Sequence, residues 1–168
     1  MSSEPVRVYL GIGSNIDPAT HVPKALLALE SEFGAVSRSS LYQTRSLGFE
    51  GPDFINLAVS FSTTCDFLQL DERLKNIEVD CGRNRSLETG KGSRTLDLDL
   101  LLYGELQGEL HGHVLPRPEI YERQFVWQPL LEIFEASQQL SGYELELKNR
   151  LAQIAKTASL LPPINWTG

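Results

Sequence analysis

The chain has 168 residues, 41% of them hydrophobic and 22% charged, proportions that suit one globular domain over residues 1–168 with room for a sizeable core. Its formal net charge of -7 excludes broad, non-specific nucleic-acid binding, which needs a basic face, but permits a small basic pocket for one anionic ligand. Two cysteines without a CxxC spacing, no basic start followed by an apolar run, and no apolar segment of about 18 residues point to a reduced cytoplasmic protein with no structural zinc, export signal or membrane span.

In chain order, residues 6–10 form a β-rich run that ends in the glycine turn Gly11-Ile12-Gly13-Ser14-Asn15. Asp17-Pro18 opens a helix whose apolar residues Val22, Leu26, Leu29 and Phe33 recur at helical spacing, and Gly34 stops it. Residues 36–44 read as a strand, and residues 45–53, with Gly48, Gly51 and Pro52, as a loop. Residues 54–63 alternate, with Ile55, Leu57, Val59 and Phe61 on one face and Phe54, Asn56, Ala58 and Ser60 on the other. Residues 66–81 read as a helix with a Leu70, Leu74, Ile77, Cys81 stripe, and residues 82–93 as a mobile, charged, glycine-containing loop.

Residues 94–103 alternate again. Leu96, Leu98 and Leu100 face a core, while Thr95, Asp97 and Asp99 face the other way together. A short strand is expected over 105–110, an irregular segment at Pro116 and Pro118, an apolar core segment over 125–134, and a last helix over 144–155. The order strand-helix-strand-strand-helix-strand, with extra C-terminal elements, predicts a ferredoxin-like α+β plan: an antiparallel sheet, two helices on one face and an open ligand face. Asn56, Asp97 and Asp99 then lie at outward positions of two strands expected to be neighbours.

Two carboxylates at i and i+2 on one strand face repel each other, and a hard divalent cation such as Mg2+, which also keeps sites for phosphate, removes that cost. Arg83, Arg85 and Arg94 flank or occupy the loop ahead of this strand, and guanidinium groups fit phosphate bidentately. Paired aspartates beside an arginine-bearing loop suit phosphoryl transfer. The plain alternative is a half-solvated acidic strand beside a solvated charged loop. The glycine turn lacks the third glycine of a dinucleotide fingerprint and the Gly-Lys-Ser/Thr of a P-loop. His111 and His113 read as a solvated edge pair, and nothing supports nucleophilic hydrolysis.

Together the motifs resemble one family, hydroxymethyl-dihydropterin pyrophosphokinase of the folate pathway. The resemblance rests on Tyr9-Leu10-Gly11-Ile12-Gly13-Ser14-Asn15, Ser40-Leu41-Tyr42-Gln43-Thr44 with Leu47-Gly48, and Pro52-Asp53-Phe54-Ile55-Asn56-Leu57-Ala58-Val59. It continues through Ile77-Glu78, Gly82-Arg83-Asn84-Arg85, Gly92-Ser93-Arg94-Thr95-Leu96-Asp97-Leu98-Asp99, Leu115-Pro116 and Arg123-Gln124-Phe125-Val126 with Pro129-Leu130. It implies transfer of the terminal pyrophosphoryl group of ATP to the hydroxymethyl group of the pterin, with release of AMP. It also implies two Mg2+ ions bridging the phosphates with Asp97 and Asp99, and Arg83 and Arg94 closing over the triphosphate. Asn56, Phe54 and Phe125 would then hold the pterin ring, with backbone contacts from Thr44 and Leu47. Glu78, Arg85, Arg117 and Arg123 would lie on the ATP side.

The chain departs from the family pattern at Arg117, where a His is usual, and at Lys91, in a slot that often holds Trp. The expected partners are these small molecules alone, with the protein a monomer. Two rivals are a pterin or nucleotide sensor without turnover and a ferredoxin-like RNA-binding domain. The second wants a basic sheet face with aromatics, where this strand offers Asp97 and Asp99.

Overall fold

The computed structural model describes residues 4–46, 48, 50–84 and 95–165; Leu47, Arg85, Lys91, Arg94 and most of the 82–93 loop lie outside them. The elements in order are β1 (Val6–Ser14), α1 (Pro18–Phe33), β2 (Ser37–Arg38), β3 (Tyr42–Thr44), β4 (Phe54–Thr63), α2 (Phe67–Asp80), β5 (Asp97–Tyr103), β6 (Gly108–Leu110), β7 (His113–Leu115), α3 (Glu119–Glu122), α4 (Gln124–Ala136) and α5 (Gly142–Ala155). The main sheet is antiparallel, ordered β2-β4-β1-β5, with β3 also paired to β4. β6 and β7 form a separate hairpin.

The period-two patterns set one face of the sheet. Val8, Leu10 and Ile12 of β1, Leu57, Val59 and Phe61 of β4, and Leu98 and Leu100 of β5 are buried in one core with Val22, Ala25, Leu26 and Leu29 of α1 and Leu70, Leu74 and Ile77 of α2. α2 starts at a reciprocal cap, in which the Asp66 carboxylate accepts from Gln69 N at 2.9 Å and the Gln69 amide oxygen accepts from Asp66 N at 3.0 Å. Among the described residues no helix is long and apolar enough to cross a membrane.

The expectation of helices on one face alone does not hold. α4 packs on the other face, against β4, β1 and β3, and α5 packs on α4. Tyr9, Ala58, Leu101 and Leu102 form a second core there with Trp127, Leu130 and Phe134 of α4 and Leu147 and Leu151 of α5. A bulge in the β1–β5 pairing, where Tyr9 faces Leu102 and Leu10 faces Leu100, buries both Leu101 and Leu102 on that side. This core gathers the part of the face around Tyr9 and Ala58; Asn56, itself buried, and Asp97 lie on the same face beside it.

Three further expectations change. β1 does not turn at Gly11 but runs through Gly13 to Ser14, because both edges of this stretch are paired: Gly11 with Ala58 and Asp99, Gly13 with Asn56 and Asp97. β4 and β5 are not neighbours, since β1 lies between them. The strand expected over 36–44 is broken after Arg38. There Ser39 N donates to Ala58 O at 2.9 Å, and the Ser39 hydroxyl, not its carbonyl, accepts from Ala58 N at 2.9 Å, so a side chain substitutes for one rung of the ladder.

Candidate functional site

One row of residues crosses four strands beside the second core. Tyr42 of β3 faces Asn56 of β4, Asn56 faces Gly13 of β1, and Gly13 faces Asp97 of β5. The next row holds Ala58, Gly11 and Asp99. At about 4.8 Å per strand, Asn56 and Asp97 stand about 10 Å apart. Gly13 between them carries no side chain. A Cβ there would sit 3.4 Å from Asn56 Oδ1 and 3.8 Å from the Phe54 ring, so the glycine keeps a floor open between an amide and a carboxylate. Asn56 Nδ2 donates to Thr44 Oγ1 at 2.8 Å, which leaves its Oδ1 turned toward that floor.

The ends of the floor are fastened by short side chains. Ser14 Oγ donates to Thr95 O at 2.6 Å, and Asn15 Nδ2 donates to Pro52 O at 3.1 Å. Gly13, Ser14, Asn15 and Tyr42 belong to the site and were not singled out from sequence as site residues. Their signals were membership of the Tyr9–Asn15 and Ser40–Thr44 stretches and, for Gly13 to Asn15, a glycine turn that matched no nucleotide fingerprint.

Charge is handled by a buried ion-pair network behind β5. Gly82, at φ +93°, ends α2 and lets Arg83 N return to Glu78 O at 3.0 Å. The Arg83 guanidinium then donates to the Glu78 carboxylate and, at 3.0 Å, to Asp97 Oδ1. Glu78 also accepts from Leu98 N at 3.1 Å, satisfying an amide on the outer edge of the sheet. Both Glu78 and Arg83 are buried, so each is the condition for the other.

Asp99 has weaker support. The segment after the Leu115–Pro116 cis bond is held to β5 by Arg117 N donating to Leu101 O at 3.0 Å. This brings the Arg117 guanidinium to 3.7 Å from Asp99 and 3.2 Å from Glu119. Burial, and then the charge of Asp97, push the Asp99 carboxyl up to about 7 despite Arg117. Asp97 is thus paired with Arg83 and Asp99 only loosely with Arg117, and the two carboxylates repel each other. Among the described residues no group of three or more His, Cys, Asp or Glu side chains could cage a metal. Two carboxylates without a cage fit a hard cation whose remaining positions go to water or phosphate.

Of the other expected residues, Phe54 and Phe125 are partly buried, on β4 and in the first turn of α4, and Arg123 is exposed at the residue before α4. The structure therefore brings together Thr44, Phe54, Asn56, Asp97 and Asp99, with Glu78 and Arg83 behind β5 and Arg117 beside Asp99. Leu47, Arg85 and Arg94 are outside the described residues.

The family model described as 7,8-dihydro-6-hydroxymethylpterin-pyrophosphokinase matches residues 9–135. A Bacillus subtilis 2-amino-4-hydroxy-6-hydroxymethyldihydropteridine pyrophosphokinase is 39% identical over 130 residues, covering 74% of this chain and 76% of its own length. The Pseudomonas aeruginosa enzyme of the same name is 37% identical over 131 residues, 76% of this chain and 80% of its own. Among solved structures, a double-mutant Plasmodium falciparum HPPK-DHPS with pterin and p-hydroxybenzoate superposes with a TM-score of 0.61 at 15% identity, over 92% of this chain and 45% of that one. The chain thus spans a little under half of that solved protein, and at this identity the likeness is one of fold.

Proposed function

The chain belongs to the 7,8-dihydro-6-hydroxymethylpterin-pyrophosphokinase family, and from that premise we infer that it transfers pyrophosphate from ATP to 6-hydroxymethyl-7,8-dihydropterin in folate biosynthesis. The hydroxymethyl oxygen bonds to the β-phosphorus and releases its proton to solvent, while the bond from that phosphorus to the α–β bridging oxygen breaks and AMP leaves with that oxygen. The observation that carries the reading is the row Asn56–Gly13–Asp97 with Asp99 beside it. A ring-reading amide and a phosphate-end carboxylate pair share one floor, about 10 Å apart across two strand spacings.

Asn56, oriented by Thr44, offers the pterin edge its amide, and Phe54 and Phe125 offer flat aromatic faces. By the family resemblance Leu47 would add a backbone contact. Asp97 and Asp99 would hold Mg2+, two ions by the family resemblance. Bound there, the metal supplies positive charge to phosphate oxygens as the transferring group loosens. By the family resemblance Arg94 would offset charge on the triphosphate, with Arg85, Arg117 and Arg123 on the ATP side, while Arg83, expected beside Arg94, is buried against Glu78 and Asp97 and steadies the Asp97 carboxylate instead. Glu78 in turn holds Arg83 in place. The strand order β2-β4-β1-β5 with α1 and α2 on one face supports the ferredoxin-like reading of this half of the fold. The free, buried Cys65 and Cys81 support a reducing compartment.

The test is nucleotide release with ATP and Mg2+, with and without hydroxymethyl-dihydropterin. Pterin-dependent AMP without ADP is the expected outcome. ADP would mean ordinary phosphoryl transfer, and ligand binding without turnover would support a sensor.

A further inference from the structure

One carboxylate on α4, Glu132, ties that helix to the segment that leads into β3. Glu132 lies on α4 seven residues after Phe125, two helical turns, so both side chains leave the same side of the helix. Its Oε2 accepts from Ser40 N at 2.7 Å and from Ser40 Oγ at 2.9 Å, and its Oε1 accepts from the Tyr42 hydroxyl. Ser40 and Tyr42 bracket the start of β3. Two residues beyond Tyr42 is Thr44, which orients Asn56 at 2.8 Å.

β3 needs such an anchor. It is an edge strand of three residues, cut off from β2 by the break at residues 39–41, and three pairs with β4 are its whole ladder. The Tyr42 phenol is buried, and burial together with the Glu132 carboxylate pushes it up to about 12, so it stays a proton donor at neutral pH. One turn before Glu132, Gln128 binds the Leu161 backbone in both directions at 2.9 Å, and Ile164 N donates to Leu41 O at 2.8 Å. The C-terminal tail therefore fastens the same short segment from outside.

We propose that Glu132 is a positioning residue for the pterin subsite: it sets the gap between α4, which carries Phe125, and β3, which carries Thr44 and through it Asn56. This rests on the proposed function above. A brace that served stability alone would alter the active fraction and leave the two substrates' KM values alike.

The experiment measures KM for pterin and for ATP separately by AMP release, and pterin Kd without ATP by fluorescence quenching. Glu132→Gln keeps the size and the acceptor for Tyr42, but sets an amide NH2 against Ser40 N–H. Its pterin KM and Kd should rise about tenfold, with ATP KM within about twofold of wild type. Tyr42→Phe, which removes one bond and keeps the ring, should raise pterin KM about threefold, and it carries the test should Glu132→Gln not fold. Tyr9→Phe, which cuts the comparable tie from β1 to Glu144 on α5, should change neither KM. Folded variants with wild-type pterin KM and Kd, or with equal losses for both substrates, would overturn the assignment while leaving the proposed function intact. Wild-type protein that neither binds pterin nor releases AMP would overturn both.

Discussion

Replacing Asp99 by asparagine should stabilise the metal-free protein at alkaline pH while removing its activity. In the fold, burial and the charge of Asp97 hold the Asp99 carboxyl near 7, against an ordinary value of 3.8. The folded state thus binds this proton more tightly than the unfolded chain. The stability contributed by the proton is complete below about pH 4 and is lost as pH rises through 7. In a dry site the full displacement would correspond to about 4 kcal/mol. The Asp99 side chain keeps 36% of its surface in water, so screening cuts this to about 2 kcal/mol. The amide of the variant cannot ionise, and Arg117 keeps Glu119 at 3.2 Å.

Urea titrations in EDTA should therefore find Asp99→Asn about 2 kcal/mol more stable than wild type at pH 8, and equal to it near pH 4. In thermal melts the gain at pH 8 is about 4–8 °C for a chain of this size. Added Mg2+ should raise the wild-type melting temperature at pH 8 and largely spare the variant. A variant less stable than wild type at pH 8, or a difference that did not change between pH 4 and pH 8, would refute the account of a desolvated, like-charge carboxylate pair.

Arg83→Met should strand the buried Glu78 carboxylate beside Asp97, costing about 3–5 kcal/mol in chemical denaturation as well as turnover; a loss of activity with stability unchanged would show that the pair is not buried as described. Gly13→Ala should fold, since Gly13 is not among the left-handed positions, but its methyl would stand 3.4 Å from Asn56 Oδ1. Pterin KM should rise about tenfold with ATP KM little changed, and unchanged pterin KM would remove the ring from this floor. Tyr9→Phe leaves Glu144 one bond short in a part-buried setting and should cost about 1–3 kcal/mol by urea titration. A cost within about 0.5 kcal/mol would mean that water replaces that partner.

The chemistry of the site was legible where it is local. Strict alternation over residues 96–100 aims Asp97 and Asp99 to one side whatever lies around them, and the same period puts Asn56 opposite Leu57. Helices α1 and α2 were legible for the same reason, one apolar stripe each, with boundaries met to within one residue. What misled was also local. Two glycines in five residues read as a turn, yet Gly11 and Gly13 lie in the central strand because β4 and β5 both pair with it there.

The amino-acid sequence by itself determined which side chains face together along each strand and which family this chain resembles, because periodicity and motif order are properties of neighbours in the chain. Only the tertiary structure decided that β1 separates Asn56 from Asp97, that Arg83 is buried between Glu78 and Asp97, that α4 packs on the sheet face opposite α1 and α2, and that Glu132 reaches 92 residues back to Ser40. These are pairings between segments far apart in sequence, and their partners are chosen by which surfaces must leave water together, a choice no single segment encodes.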